Sequence, residues 1–338
     1  MTKQTMSSSI EFRPIEAHAR ILIINHNYLG DQLMTSPLIY NLRKKYPEAV
    51  IAACIGNRGK AIVSLTGGID HWIYRKNYDR FWNVGPVIKA IRAFKPDVVI
   101  DIRNSFWTHL MAHRSGASRI VILGTKPLVH GLKAEIVPLP AKRPHMSDCA
   151  EAVGVYLGLI PYEHKIIFNE MECGERHGAA IFLPGTTRPS KEWISEYWIE
   201  LGKMIVERTG KRVIVLGAAA DKHLCEYFTD RTIFDDRIGQ TSLTDLCCMM
   251  RNASLIITLD NGALHIADYC DLPGVALFGP TDFRFAGPKY PKIAVVEPPE
   301  YTCKTVYCNK MKCKYPPWCM SRITPKQVFD AAMEKMKV

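Results

Sequence analysis

Residues 20–32 have the sequence RILIINHNYLGDQ, and this stretch decides the fold. Its apolar run at 21–24 predicts a strand that is buried on both faces. A tight turn containing Gly30 and Asp31 leads from this strand into a predicted helix over 32–45. A buried strand followed by a turn and an amphipathic helix is the repeating unit of a parallel α/β sheet.

The same alternation continues along the whole chain. Further strands are predicted at 50–54, 69–74, 98–102 and 120–123, and in the second half at 180–183, 212–216, 255–259 and 274–278. Apolar strands that alternate with helices form parallel sheets covered on both faces. The sequence therefore predicts an α/β fold of two doubly wound, Rossmann-like parallel-sheet domains whose ligand loops face each other across a cleft.

The predicted domain boundaries follow shifts in composition. A proline-rich loop is predicted at 136–145, and Ser147 is the predicted N-cap of the helix that follows it. The predicted parts are a polar leader (1–19), an N-terminal domain (20–160), a C-terminal domain (161–322) with a cysteine-rich tail (303–319), and a C-terminal helix (323–338).

Composition excludes several classes of protein. The 338 residues are 47% hydrophobic and 23% charged, a balance typical of globular rather than disordered chains. The longest apolar runs, 98–100 and 255–257, are far shorter than the ~20 residues that cross a bilayer. Residues 1–19 lack the apolar segment of a secretory signal. The 11 cysteines are therefore expected to be thiols in a reducing cytoplasm, and an exported, disulfide-stapled protein is disfavoured.

Basic residues outnumber acidic ones by 44 to 33, and the excess lies mainly in the first 170 residues, which hold 22 basic and 13 acidic side chains. This basic half favours an anionic partner: a nucleic acid, a membrane surface or an acidic substrate. The alternative is that the charge serves solubility alone. Arg58 and Lys60 are the candidates for binding the anion on this side.

The first candidate for chemistry is Asp31, which follows the first strand. A carboxylate at the carboxyl edge of a sheet can accept a proton from a substrate hydroxyl. The alternative is a helix N-cap, since aspartate is a favoured capping residue. The single glycine of this turn is not a GxGxxG loop, which disfavours a dinucleotide-binding dehydrogenase.

The second candidate is the loop at 184–192, after the first strand of the second series. Gly185 exposes backbone N–H groups, while Thr186, Thr187, Arg188 and Lys191 add hydroxyls and positive charge. Together with a helix N-terminus, these groups favour a diphosphate-binding loop over an ordinary exposed one. The loop lacks the GKS/T of a P-loop, which disfavours nucleoside triphosphate hydrolysis.

Two further turns follow predicted strands of the second series. In the first, Asp260 can bind sugar hydroxyls, and the N–H groups of residues 261–263 can bind phosphate. His265, three residues into the next helix, either faces a ligand or packs in the core. The turn at 278–282, with sequence FGPTD, is a weaker candidate for ligand binding.

Four cysteines of the C-terminal tail form a C-x4-C-x4-C-x5-C pattern: Cys303, Cys308, Cys313 and Cys319. Four thiols within 17 residues are compatible with a tetrahedral structural metal site. The pattern lacks the tight C-x2-C pair that such sites usually contain, and the favoured alternative is a set of free thiols.

Taken in order, these pieces resemble the glycosyltransferase family 9 heptosyltransferases of lipopolysaccharide core assembly, from about residue 20 to the C-terminus. The resemblance is carried by RILII at 20–24 with Gly30-Asp31 and Pro37-Leu38, by LPG at 183–185 with KEW at 191–193, by GQTSL at 239–243, by DNGALH at 260–265 and by FGPTD at 278–282.

This resemblance implies a GT-B fold and an inverting transfer from ADP-heptose that requires no metal cofactor. It implies that Asp31 is the catalytic base and that the N-terminal domain binds the acceptor. The donor-binding residues that it implies are Thr186, Thr187, Arg188, Lys191, Asp221, Thr241, Ser242, Asp260, Asn261, Gly262 and His265.

The implied acceptor is an anionic, lipid-linked core sugar. The enzyme would then act peripherally on the cytoplasmic face of the inner membrane, and no nucleic acid would be involved. Three alternatives stay open: a GT-B transferase that uses another nucleotide sugar, one that modifies a protein, and a non-enzymatic protein that binds nucleic acid through its basic half.

Overall fold

The computed structural model describes residues 13–25, 28–76, 81–175, 178–301, 303, 305–314 and 318–336. Residues 1–12 of the predicted leader and 337–338 of the predicted C-terminal helix lie outside this range. The contacts divide the chain into two compact units. The first comprises Met1–Asn27, Thr35–Asn57 and Gly68–Lys165, and the second comprises Tyr28–Met34, Arg58–Gly67 and Ile166–Val338.

The first unit is built on a six-stranded parallel sheet. Its strands are β1 (Arg20–Ile24), β2 (Val50–Gly56), β3 (His71–Arg75), β4 (Val98–Asp101), β5 (Arg119–Leu123) and β6 (Glu135–Val137), in the order β3-β2-β1-β4-β5-β6. Strand β1 is central, because it pairs in parallel with both β2 and β4. The continuous apolar run of β1 fits this position, since both of its faces are covered.

The second unit repeats this architecture. Its strands are β7 (Ala180–Leu183), β8 (Val213–Val215), β9 (Phe234–Asp236), β10 (Leu255–Leu259), β11 (Gly274–Leu277) and β12 (Ile293–Val296), in the order β12-β11-β10-β7-β8-β9. All of the pairings are parallel. The prediction of two doubly wound parallel sheets is therefore confirmed.

The described residues contain eleven α-helices. They are α1 (Leu29–Thr35), α2 (Pro37–Lys45), α3 (Ile62–Leu65), α4 (Phe81–Phe94), α5 (Phe106–His113), α6 (Met146–Tyr156), α7 (Ser195–Thr209), α8 (Leu243–Arg251), α9 (Gly262–Tyr269), α10 (Phe283–Ala286) and α11 (Pro325–Met336). Among the described residues, no helix is both long enough and apolar enough to span a membrane.

The first sheet buries alternate side chains of β1 in two separate cores. Ile21 and Ile23 pack with residues of α2 and α6, including Leu38 and Val153. Leu22 and Ile24 pack on the opposite face with α4 and α5. Each side chain that is removed from water in this way contributes roughly 1.5–3 kcal/mol to folding.

Several local predictions differ from the structure. The helix expected over 32–45 is two helices, α1 and α2, because Pro37 has no N–H to continue the first one. Strand β6 includes the first two residues of the predicted loop 136–145, so this loop is shorter than predicted. The N-cap of α6 is His145 rather than Ser147, since the His145 side chain accepts a hydrogen bond from the Ser147 N–H.

The cysteines also differ from expectation. Cys173 and Cys248, 75 residues apart in the sequence, form a disulfide. The expectation that all 11 cysteines are thiols is wrong for this pair. Spacing along the chain does not reveal it, because the fold alone brings the two sulfur atoms together.

Candidate functional site

The candidate site lies at the point in the second sheet where the strand order reverses. From the central strand β7 the chain moves outward through β8 and β9, and it then returns to the other side of β7 with β10. Loops that follow β7 and β10 diverge at the carboxyl edge of the sheet, and such switch points form ligand crevices in α/β folds. Lys191 follows β7 and Asp260 follows β10.

Lys191 and Asp260 form an ion pair at this edge. The Lys191 Nζ lies 2.5 Å from the Asp260 Oδ2 and 3.3 Å from the Asp260 carbonyl oxygen. The Thr281 hydroxyl, which follows β11, donates to the same carboxylate oxygen at 2.5 Å. The side chains of Lys191 and Asp260 are only 13% and 12% exposed. An ammonium group has three hydrogens, so this lysine can hold Asp260 and still donate to an anionic ligand.

Gly185 brings three loops of this edge together. A Cβ on Gly185 would lie 2.2 Å from the Oδ2 of Asp221, which follows β8. The Asn261 Nδ2 donates to the Gly185 carbonyl oxygen at 3.0 Å. A side chain at position 185 would therefore displace Asp221 from the loop. Asp221 itself accepts a hydrogen bond from the Ala218 N–H at 2.8 Å.

Two predicted ligand groups act as helix caps. The Asn261 Oδ1 accepts hydrogen bonds from the N–H groups of Ala263 and Leu264, so the Ala263 amide predicted to bind phosphate is already used. The Ser242 hydroxyl caps α8 and donates to Asp245. Asn and Ser are both strong N-caps, so capping accounts for these contacts. The neighbouring Thr241 Oγ1 is buried, without a hydrogen-bond partner among the described residues.

Asp31 lies in the first turn of α1, since the helix begins two residues earlier at Leu29. It is therefore inside the helix and not at its cap. The turn before it packs on α9 within the second unit: a Cβ on Gly30 would lie 2.8 Å from the His265 Cδ2. Gly262, the first residue of α9, packs in the same way against Leu29. The buried His265 thus supports the turn that carries Asp31.

Two residues of the predicted diphosphate loop, Arg188 and Ser190, contact the cysteine-rich tail, a pairing that the sequence did not indicate. Thr187 is exposed, and the Thr186 hydroxyl accepts from the Arg188 N–H at 3.3 Å. Arg188 donates to the side chain of Asn309. The Ser190 hydroxyl donates to the Lys310 carbonyl oxygen at 2.5 Å. More than 100 residues separate these partners, so no local pattern could have indicated them.

The two basic candidates, Arg58 and Lys60, belong to the second unit. The Arg58 Nη1 donates to the Tyr28 hydroxyl at 2.6 Å, and its guanidinium lies 5.4 Å from the centre of the Tyr28 ring. Arg58 and Lys60 are both exposed. Both side chains can therefore meet an anionic ligand at the surface.

The possible metal centre of the cysteine tail is not supported. Cys303, Cys308, Cys313 and Cys319 are thiols outside any disulfide, and no group of three or more metal-ligating side chains is found among the described residues. Cys319 instead packs in the core of the second unit, and its burial raises the pKa of its thiol to about 11. A buried thiol of this kind serves packing, so a structural metal is not supported.

The first unit carries a polar pair that sequence reasoning missed. Asp101 ends β4, and its Oδ2 lies 3.7 Å from the Nε2 of His109, with both side chains fully buried. The Asp101 Oδ1 accepts from the Arg103 N–H at 2.9 Å. The His109 Nδ1 accepts from the Leu128 N–H at 2.9 Å, which leaves the proton on Nε2. Burial raises the pKa of Asp101 and lowers that of His109.

Comparison with known proteins identifies the chain. The family described as glycosyltransferase family 9 (heptosyltransferase) matches residues 154–319. Over this span the chain is similar to that family, and the chain is a glycosyltransferase. Lipopolysaccharide heptosyltransferase 2 of Salmonella typhimurium (strain LT2) is 23% identical to this transferase over 320 residues, which cover 82% of the transferase and 87% of the relative.

Solved structures agree on the fold. A family 9 glycosyl transferase from Veillonella parvula superposes on this transferase with a TM-score of 0.78 and 22% identity, covering 96% of this chain and 99% of that one. The E. coli ADP-heptose LPS heptosyltransferase II gives a TM-score of 0.73 and 20% identity, covering 94% and 98%. These similarities confirm the predicted GT-B fold.

Proposed function

We propose that this transferase moves a heptose from ADP-heptose to an acceptor of the lipopolysaccharide core. The observation that carries the proposal is the Lys191–Asp260–Thr281 cluster at the switch point of the second sheet. The names of the relatives supply the substrate class, because they are lipopolysaccharide heptosyltransferases, and one similar structure is named for ADP-heptose.

In this proposal the second unit binds the donor. Lys191 and Arg188, with the hydroxyls of Thr186 and Thr187, bind the diphosphate. Asp260 binds hydroxyls of the sugar. The further donor contacts are assigned to the Asp221 carboxylate, the buried Thr241 hydroxyl, Ser242, the Asn261–Gly262 turn and His265.

Asp31 acts as the general base. The acceptor hydroxyl gives its proton to the Asp31 carboxylate while its oxygen attacks the anomeric carbon. The bond from that carbon to the diphosphate oxygen breaks, the anomeric configuration inverts, and ADP leaves with the bonding electrons. Lys191 and the threonine hydroxyls stabilise the negative charge that develops on ADP, a role that a divalent cation plays in other transferases.

The acceptor is an anionic glycolipid at the cytoplasmic face of the inner membrane. We assign its binding to the N-terminal domain, residues 20–160, together with the exposed Arg58 and Lys60. A basic side chain near an anionic membrane contributes about 1 kcal/mol to binding. Binding to anionic vesicles should therefore weaken as the salt concentration rises.

The test is a panel of donors with a purified core acceptor, in buffer containing EDTA. Turnover with ADP-heptose, and a much lower rate with UDP-sugars, would support the proposal. Turnover with a UDP-sugar alone, or an absolute need for added divalent cation, would contradict it. Replacing the glycolipid by a protein acceptor tests the remaining alternative, since only a glycolipid should accept the sugar.

A further inference from the structure

Residues 309–311 of the cysteine-rich tail are hydrogen-bonded to the predicted diphosphate loop at 184–192. The Ser190 hydroxyl donates to the Lys310 carbonyl oxygen at 2.5 Å, and the Ser190 N–H donates to the Met311 carbonyl oxygen at 3.2 Å. Ser190 itself is buried, so this contact is covered by other residues. Two backbone carbonyl groups thus hold the tail against the loop.

The same segment is attached to the turn that carries Thr281. The Asn309 N–H donates to the Pro280 carbonyl oxygen at 2.7 Å. Thr281 follows Pro280 in the chain, and its hydroxyl and the Lys191 ammonium donate to the same Asp260 carboxylate oxygen. The tail therefore links the two loops whose side chains hold Asp260, and it fixes the backbone of Asn309 relative to both.

From this fixed position the Asn309 side chain contacts Arg188. Its Oδ1 accepts a hydrogen bond from the Arg188 Nη1. A guanidinium group has five N–H donors, so one bond to Asn309 leaves others that can reach a diphosphate. An arginine side chain loses conformational freedom when it binds a ligand, and that loss is smaller where a neighbouring group already orients the guanidinium.

The backbone of Asn309 explains which residue types fit this position. Its φ is 51°, in the left-handed region that asparagine tolerates and glycine adopts readily. A glycine at this position keeps the backbone conformation and the N–H that bonds Pro280, and it removes only the acceptor for Arg188. The variant N309G therefore isolates the side-chain contact.

We propose that Asn309 is a positioning residue of the donor site and orients Arg188 toward the diphosphate of the nucleotide sugar. The inference rests on the proposed function, because it takes Arg188 as a ligand of that diphosphate. Asn309 acts through Arg188 rather than by contact with the donor. The cysteine-rich tail thereby contributes to donor binding through an amide and not through its thiols.

The experiment is calorimetric titration of ADP into the full-length wild type, N309G, R188A and the double variant R188A/N309G. N309G should bind ADP roughly 3- to 10-fold more weakly than the wild type, and R188A at least as weakly as N309G. The double variant should bind no more weakly than R188A, because Asn309 has no guanidinium left to orient. The melting temperature of N309G should match that of the wild type.

Asn252→Gly is the matched control. The Asn252 Nδ2 donates to the Gly174 carbonyl oxygen at 2.7 Å, so this variant also loses one side-chain hydrogen bond of an asparagine in the second unit. Asn252 precedes β10, at the amino edge of the sheet, whereas the donor loops follow their strands at the carboxyl edge. Its ADP affinity should equal that of the wild type.

Unchanged ADP affinity in N309G, or a full further loss when N309G is added to R188A, would overturn the inference and leave the proposed function standing. Normal ADP affinity in R188A would also overturn it, since Arg188 would then not bind the diphosphate. A wild type that binds no ADP would instead overturn the proposed function, and the inference with it. The double variant decides the question even if N309G melts at a lower temperature, because a merely structural loss would add to that of R188A.

Discussion

The two sheets place a carboxylate after equivalent strands and surround it differently. Asp101 ends β4, next to the central strand of the first sheet, and is fully buried against a neutral histidine. Asp260 follows β10, next to the central strand of the second sheet, and pairs with a lysine near the surface. The first group stabilises its own turn, while the second keeps charged groups within reach of a ligand. In our proposal, the same position in one fold therefore serves structure in one unit and donor binding in the other.

The largest expected effect concerns Asp31. Asp31→Ala should lower kcat by about 10² or more, because it removes the proposed general base, and it should leave donor affinity nearly unchanged. Steady-state kinetics and donor titration measure the two quantities. Glu196→Ala is the matched control, since Glu196 also lies in the first turn of a helix. Normal turnover of the Asp31 variant would remove this residue from the chemistry.

The next largest effect concerns Asp101, the carboxylate that is assigned a structural role, and it is an effect on stability. Asp101→Ala should lower the free energy of unfolding by about 2–3 kcal/mol, because the N–H groups of Arg103 and Asn104 lose their acceptor and the buried His109 loses its charged neighbour. Donor affinity should not change. Urea denaturation followed by fluorescence tests stability, and titration tests binding. A variant of normal stability that bound donor poorly would reverse the roles assigned to the two carboxylates.

A smaller effect is expected for Lys191, at the carboxyl edge of the second sheet. Lys191→Ala should weaken donor binding roughly 10- to 30-fold, the loss of one charge-assisted hydrogen bond of about 2 kcal/mol. Calorimetric titration with ADP measures it. Lys292→Ala is the control, since Lys292 forms an exposed ion pair with Asp271 in the same unit. Equal affinities of the two variants would place the diphosphate elsewhere.

The smallest effect tests the packing of the Asp31 turn. Gly30→Ala places a methyl group 2.8 Å from the His265 ring, so the ring or the turn must shift. We expect a loss of about 1 kcal/mol in stability or transition-state binding, since overpacking costs 1–3 kcal/mol. Thermal denaturation and turnover measure it together. If neither changes, His265 does not support this turn.

Sequence patterns predicted a strand correctly where the apolar pattern of the segment matches the burial of its two faces. The apolar runs of β1 and β10 predicted buried strands because both faces of a central strand are covered. Short strands such as β9, with the sequence Phe-Asp-Asp, carry no such pattern, and their pairing depends on the neighbouring strand. Glycines and charged residues directly after predicted strands likewise indicated that the loops of Lys191 and Asp260 are candidates for ligand binding.

Contacts between distant segments could not be predicted in this way. The Thr281 hydrogen bond to Asp260 and the Cys173–Cys248 disulfide both depend on how separate segments meet in space. Ser242 shows the opposite difficulty: its hydroxyl is a good ligand donor and an equally good helix cap, and the structure uses it as a cap. Residue type alone does not separate these roles.

The central claim is that the donor binds at the switch point of the second sheet, and hydrogen–deuterium exchange with and without ADP tests it most directly. Exchange should slow in residues 184–192 and 259–265, where the proposed ligand covers backbone amides. It should stay unchanged in residues 101–109. Protection confined to residues 101–109, with no change around Lys191 and Asp260, would contradict the claim.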